Sequence, residues 1–133
     1  MLKKVLILDN DPGILDMMDE VLRYEGFSVK TLESTDDIIS TVKHHQPDVL
    51  ILDYILRGIN GGELCKKIKT TTDTAAIPVI IFSAYSKVLQ SLSYYNCDAY
   101  VPKPFDLTEM VDLVKNLAES SFKTRINTQM IGY

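Results

Sequence analysis

Asp9 and Asp53 each close a short apolar run, Val5-Leu6-Ile7-Leu8 and Val49-Leu50-Ile51-Leu52, and a further carboxylate stands at Asp11. Runs of this kind read as strands buried on both faces. In a parallel sheet their C-terminal ends share one edge, where open α/β folds bind ligands. Carboxylates gathered at such an edge favour a divalent cation and point first to phosphoryl chemistry. Taken singly, each of these acids is equally explained as a loop former or a helix cap. Only their convergence argues for more.

The elements that must position them follow from spacing. Asp11-Pro12 reads as an N-cap with proline at the first helical position, and Ile14, Leu15, Met18, Val21 and Leu22 follow at helical intervals up to Gly26. Phe27 to Thr31 alternates as a strand does. Ser34 or Thr35 is expected to cap a second helix carrying Ile38, Ile39 and Val42, and Pro47 leads into the strand that ends at Asp53. A Gly/Asn loop over 57–62 precedes a helix expected at 63–70, and Pro78 opens the strand Val79-Ile80-Ile81-Phe82, with Ser83 at its end. A weaker helix over 86–95, rich in Ser and Tyr, precedes the short strand Ala99-Tyr100-Val101 and then Pro102-Lys103-Pro104. Asp106 and Glu109 have the capping-box separation ahead of a helix striped by Leu107, Met110, Val111, Val114, Leu117 and Ala118.

Five strands alternating with helices require right-handed crossovers and helices on both faces of a parallel sheet. Topology therefore brings Asp9, Asp53, Ser83 and the residues after Val101 to one edge, far apart though they are in sequence. Residues 121–133 show no clear period, so the domain is expected over 1–120, with a C-terminal extension or the start of a linker after it.

Composition narrows the class. A chain of 133 residues, 46% apolar with 6 Gly and 5 Pro, suits one compact domain. A net charge of −4 argues against a broadly basic nucleic-acid surface. Cys65 and Cys97 do not make a disulfide framework and suit a reducing compartment. The apolar run near the N-terminus is too short for a signal-peptide core or a membrane span, so a cytoplasmic location is expected, with no membrane partner. No Gly-rich dinucleotide fingerprint or phosphate-loop lysine follows Leu8. The dozen residues after the last helix leave no room for an output module, so the output is expected to be another molecule.

The set Asp9-Asn10-Asp11-Pro12, Asp53 with Gly58 and Gly61, Ser83-Ala84, and Tyr100-Val101-Pro102-Lys103-Pro104-Phe105 resembles the receiver domain of two-component response regulators, over roughly residues 3–117. The resemblance implies a flavodoxin-like, doubly wound (βα)5 sandwich of three layers with strand order 2-1-3-4-5. It implies a phosphoacceptor at Asp53, served by a sensor histidine kinase or a histidine phosphotransfer protein. It further implies Mg2+ held by Asp9, Asn10, Asp53 and the backbone carbonyl of Ile55, with Lys103 and Ser83 contacting the acyl phosphate. A cis bond between Lys103 and Pro104 is part of the same pattern. Tyr100 would be the switch aromatic, acting with Ser83 on a surface of the 86–95 helix, the fifth strand and the last helix. That surface would meet a downstream protein or a second copy.

The chemistry of the residues agrees. A carboxylate can attack a phosphohistidine phosphorus in line, and an ammonium and a hydroxyl both address phosphoryl oxygens. Alone, Lys103 reads as a solvated lysine between prolines, and Ser83 as a cap or loop hydroxyl.

The chain also departs from the family. Asn10 stands where a second carboxylate is usual, which removes one negative charge from the metal cage. Arg57 and Asn60 replace the loop's usual Pro and Asp. Asn10 is the strongest support for a phosphorylation-independent docking module on the same fold. Asp9-x-Asp11 with Ser83 and Lys103 also looks like the haloacid-dehalogenase phosphatase pattern, in which the first Asp is nucleophile and the second a general acid/base. That pattern lacks its late acidic pair here, and the chain has no room for a substrate cap.

Overall fold

The computed structural model describes residues 2–56, 59–84 and 95–130, with side chains described through 121. Its elements are β1 (Lys4–Leu8), α1 (Pro12–Tyr24), β2 (Ser28–Leu32), α2 (Ile38–His45), β3 (Val49–Asp53), α3 (Gly61–Thr70), β4 (Val79–Ser83), β5 (Ala99–Pro102) and α4 (Leu107–Met130). The helix expected over 86–95 falls almost wholly outside the described residues.

All five strands run parallel in the order β2-β1-β3-β4-β5. Side chains alternate across this sheet into two cores. Val5, Ile7, Val49, Ile51, Ile80 and Phe82 pack with α1 and α4, whereas Leu6, Leu8, Leu50, Leu52, Val79 and Ile81 pack with α2 and α3. Burial on both faces is why the strands are continuously apolar. The result is the three-layer, flavodoxin-like sandwich with the strand order expected from sequence.

The caps show which local expectations hold. Asp11 caps α1 by accepting from the Gly13 N–H at 2.9 Å, and Gly26 takes φ +95° just past the helix end. The second helix is capped by Asp37 rather than by Ser34 or Thr35. Asp37 Oδ1 accepts from Ser40 N at 3.1 Å, while Thr35 Oγ1 accepts from Asp37 N and stabilises the turn before the helix. Similarly, Asn60 caps α3 by accepting from Glu63 N at 2.8 Å, so that helix begins two residues earlier than its apolar pattern indicates. The expected cap at Asp106 is present, accepting from Glu109 N at 2.9 Å.

The last helix runs on to Met130, through a segment whose lack of period suggested an extension or linker. Backbone hydrogen bonding needs no apolar stripe, and no Gly or Pro interrupts the chain between Phe105 and Gly132. Among the described residues no helix is long and apolar enough to cross a membrane.

Candidate functional site

The C-terminal edge of the sheet brings three charged groups together. Asp9 follows β1, its N–H held by the Leu32 carbonyl of β2 at 3.2 Å, and Asp53 is the last residue of β3. Both carboxylates are almost fully buried, at 1% and 6% exposure. Lys103, just past β5, places Nζ 2.9 Å from Asp9 Oδ2 and 3.4 Å from Asp53 Oδ1. Its own backbone is fixed by Lys103 N donating to the Ser83 carbonyl at 2.8 Å, and the Lys103–Pro104 peptide is cis.

The remaining acceptor positions are partly filled by backbone. Asp9 Oδ1 accepts from Asp11 N at 2.9 Å, and Asp53 Oδ1 accepts from Ile55 N at a long 3.4 Å. Asp53 is therefore the under-solvated member. Burial, then the charge of Asp9, push its carboxyl above the ordinary range, and Lys103 and the Ile55 N–H only partly oppose them. A buried carboxylate held beside a second carboxylate and a single ammonium is arranged to receive further positive charge or to react.

Residues 5–115 match the response regulator receiver domain family. The chain belongs to that family. A phosphate regulon transcriptional regulatory protein, PhoB, of Rhizobium meliloti is 31% identical over 118 residues, which are 86% of this chain and 52% of that protein. The heme response regulator HssR of Staphylococcus saprophyticus is 31% identical over 127 residues, 94% of this chain and 55% of that protein. The chain thus spans about half the length of these curated relatives. Among solved structures, the response regulator TrrA of Thermotoga maritima in complex with Mg2+-BeF superposes with a TM-score of 0.78 at 30% identity, covering 87% of this chain and 99% of that one. A response regulator from Chloroflexus aurantiacus gives 0.82 at 28% identity, covering 90% and 99%.

Receiver domains act in two-component signalling. Accepting a phosphoryl group and binding Mg2+ beside the phosphorylation site are general to them. Here the side-chain oxygens gathered at the edge are those of two buried carboxylates, a donor type that suits Mg2+. Asn10 is exposed next to Asp9 and can offer an amide oxygen but no charge. Among the described residues no group of three or more His, Cys, Asp or Glu side chains is arranged to hold a metal. The two carboxylates are oxygen donors of the kind Mg2+ takes, and Asn10 leaves the edge one negative charge short of an all-carboxylate set.

The other residues singled out from sequence sort by position. Ser83, 1% exposed, ends β4 beside Asp53, since Phe82 is the register partner of Asp53. Tyr100, half-buried on β5, donates its hydroxyl to the Ser83 carbonyl at 3.3 Å, which ties the expected aromatic directly to the strand end bearing Ser83. Asp11 is exposed, and its Oδ1 accepts from Gly13 N as the N-cap of α1. Gly58 lies outside the described residues. Gly61 has a structural requirement: a Cβ there would run into the Asp53 carbonyl, and its N–H donates to Tyr54 O at 2.8 Å.

A neighbouring network was not read from the sequence. Tyr95 is buried with its ring over Gly62, where any Cβ would collide with it, and its hydroxyl lies 3.4 Å from that of Tyr54, the residue after Asp53. The hydrogen bond with Tyr54, followed by burial, pushes the Tyr95 phenol up to about 12. The available signal was the Gly61-Gly62 pair, which marks two close approaches rather than one flexible loop.

Proposed function

We propose that Asp53 accepts a phosphoryl group from a histidine kinase or a histidine phosphotransfer protein, and that the acyl phosphate shifts the β5 surface toward a partner-binding form. The supporting observation is the Lys103 ammonium lying between two buried carboxylates, one of them disfavoured as an anion by its surroundings.

In this reading a carboxylate oxygen of Asp53 attacks phosphorus in line as the bond from phosphorus to the donor's imidazole nitrogen breaks. The bond's electron pair leaves with the imidazole, and a mixed anhydride forms. Lys103 moves its charge from Asp9 and Asp53 onto a phosphoryl oxygen, and the Ser83 hydroxyl donates to another. Asp9, Asp53, the Asn10 amide oxygen and the Ile55 carbonyl would hold Mg2+, which when bound neutralises charge on the transferring group. Drawing Ser83 toward the phosphate alters the strand end whose carbonyl holds the Tyr100 hydroxyl. The populations of Tyr100 conformers at the β5 surface shift in response.

Intact-mass spectrometry after incubation with acetyl phosphate and Mg2+ tests the assignment. The native chain should gain about 80 Da, one phosphoryl group, and Asp53→Asn should gain none. A second reading, docking without phosphorylation, is favoured by one observation, the neutral Asn10 at the metal edge. It predicts no mass gain and no response to Mg2+ with beryllofluoride, while partner binding persists in Asp53→Asn.

A further inference from the structure

The opposite edge of the sheet carries a basic cavity that the phosphoacceptor chemistry does not use. It has a volume of about 240 Å³ and is lined by Lys4 of β1, Ser28 and Lys30 of β2, and His44, His45 and Pro47 at the end of α2. In this chain of net charge −4, Lys3, Arg23, Lys43, Lys69, Lys103 and Lys115 all form ion pairs. Neither Lys4 nor Lys30 has a carboxylate within ion-pair distance of its ammonium among the described residues. The two imidazoles stand edge to face with centroids 4.9 Å apart. Cationic side chains in the last turn of a helix complement its dipole, which accounts for His44 and His45. It does not account for lysines contributed by two strands and turned to the same cavity.

We propose that this cavity binds a phosphate-bearing small molecule, an inorganic phosphate or a compact phosphomonoester, at a site separate from Asp53. Two ammonium groups and two imidazoles match a dianion in charge and supply donors for its oxygens. The volume equals several waters at about 30 Å³ each, room for a phosphoryl group with a small substituent. Binding is linked to proton uptake. Burial, then His44, Lys30 and Lys4, hold His45 below its ordinary value, and a dianion would reverse the charge contribution. The same sheet edge also carries Asp48, whose carboxylate accepts from the Lys4 N–H at 2.7 Å, and the Asp98–Lys69 ion pair at the start of β4.

The chain's 2 histidines both line the cavity, so imidazole NMR signals report on it without ambiguity. Titrating the Mg2+-free chain with phosphate or with glycerol 3-phosphate should shift both rings saturably, with Kd on the order of 1 mM, and raise the titration midpoint of His45. Equal affinity for the two ligands assigns the phosphoryl group alone, and tighter binding of the ester assigns an organic phosphate. Lys4→Gln and Lys30→Gln should each weaken binding roughly tenfold, and Lys67→Gln, exposed outside the cavity, should not. Asp53→Asn should bind as the native chain does, which separates this test from that of the phosphoacceptor. Absence of saturable shifts with both ligands, or shifts that survive in the double variant Lys4→Gln/Lys30→Gln, would overturn the proposal.

Discussion

The two edges of the sheet use the same residue types for opposite ends. At the N-terminal edge, Asp48 accepts from the first N–H of β1 and Asp98 from the first N–H of β4, each at 2.7 Å, and Lys69 closes on Asp98 at 2.6 Å while donating to the Ile77 carbonyl at 2.7 Å. These acids satisfy strand donors that would otherwise lack partners. At the C-terminal edge, Asp9 and Asp53 face each other and share one lysine, so their charge is concentrated rather than dispersed. Strand N–H groups with free donors absorb carboxylates as structure. At the other edge strands end in carbonyls, and the loop N–H groups of Asp11 and Ile55 reach only one oxygen of each carboxylate, which leaves both acids turned to Lys103. Burial is similar, with Asp48 at 1% exposure and Asp9 at 1%, so solvent access is not what separates the two roles.

Substitutions can break this contrast. The largest stability effect is expected at the C-terminal edge from Gly61→Ala, whose Cβ meets the Asp53 backbone carbonyl rather than a movable side chain. A loss of about 3 kcal/mol in chemical denaturation, with slower phosphoryl labelling, is expected. At the N-terminal edge, Lys69→Met should cost about 2 kcal/mol, less than for a fully buried pair because the Asp98 side chain is 35% exposed, and should leave labelling unchanged. If labelling falls as far as stability does, the two edges are coupled and the contrast fails.

Asn10→Asp sharpens the comparison by adding the missing charge. Mg2+ affinity, followed by isothermal titration, should rise roughly tenfold, equivalent to about 1.4 kcal/mol. The smallest effect is on pH dependence. Because the Asp53 carboxyl is raised from 3.8, mainly by burial and then by Asp9, the folded state binds its proton more tightly than the unfolded chain does. Its contribution to stability is therefore fully present below 3.8 and is lost as pH rises through the folded value. Without Mg2+, Asp53→Asn should melt above the native chain at pH 7, and the gap should close toward pH 3.8.

Sequence alone determined the strands and placed Asp9, Asp53 and Ser83 at their ends, because doubly buried strands are written as uninterrupted apolar runs and parallel topology dictates which ends meet, whereas the strand order and the roles expected of Tyr100 and Lys103 came with the receiver-domain resemblance. Caps were legible where a single candidate existed, as at Asp11. They were misplaced at α2, where Ser34 or Thr35 was expected and Asp37 caps a helix whose first residue, Ile38, is buried in the core. Tertiary structure decided how charge is shared. The Lys103 ammonium chooses between Asp9 and Asp53 through distances of 2.9 and 3.4 Å, and the Tyr95 ring closes over Gly62 across more than thirty positions of sequence. The same holds for the two lysines and two histidines at the far edge, which come from three different elements and carry no common motif. Periodicity records which face of an element is apolar, but the field at a carboxylate depends on atoms a few ångströms away in space, and only the folded chain sets those distances.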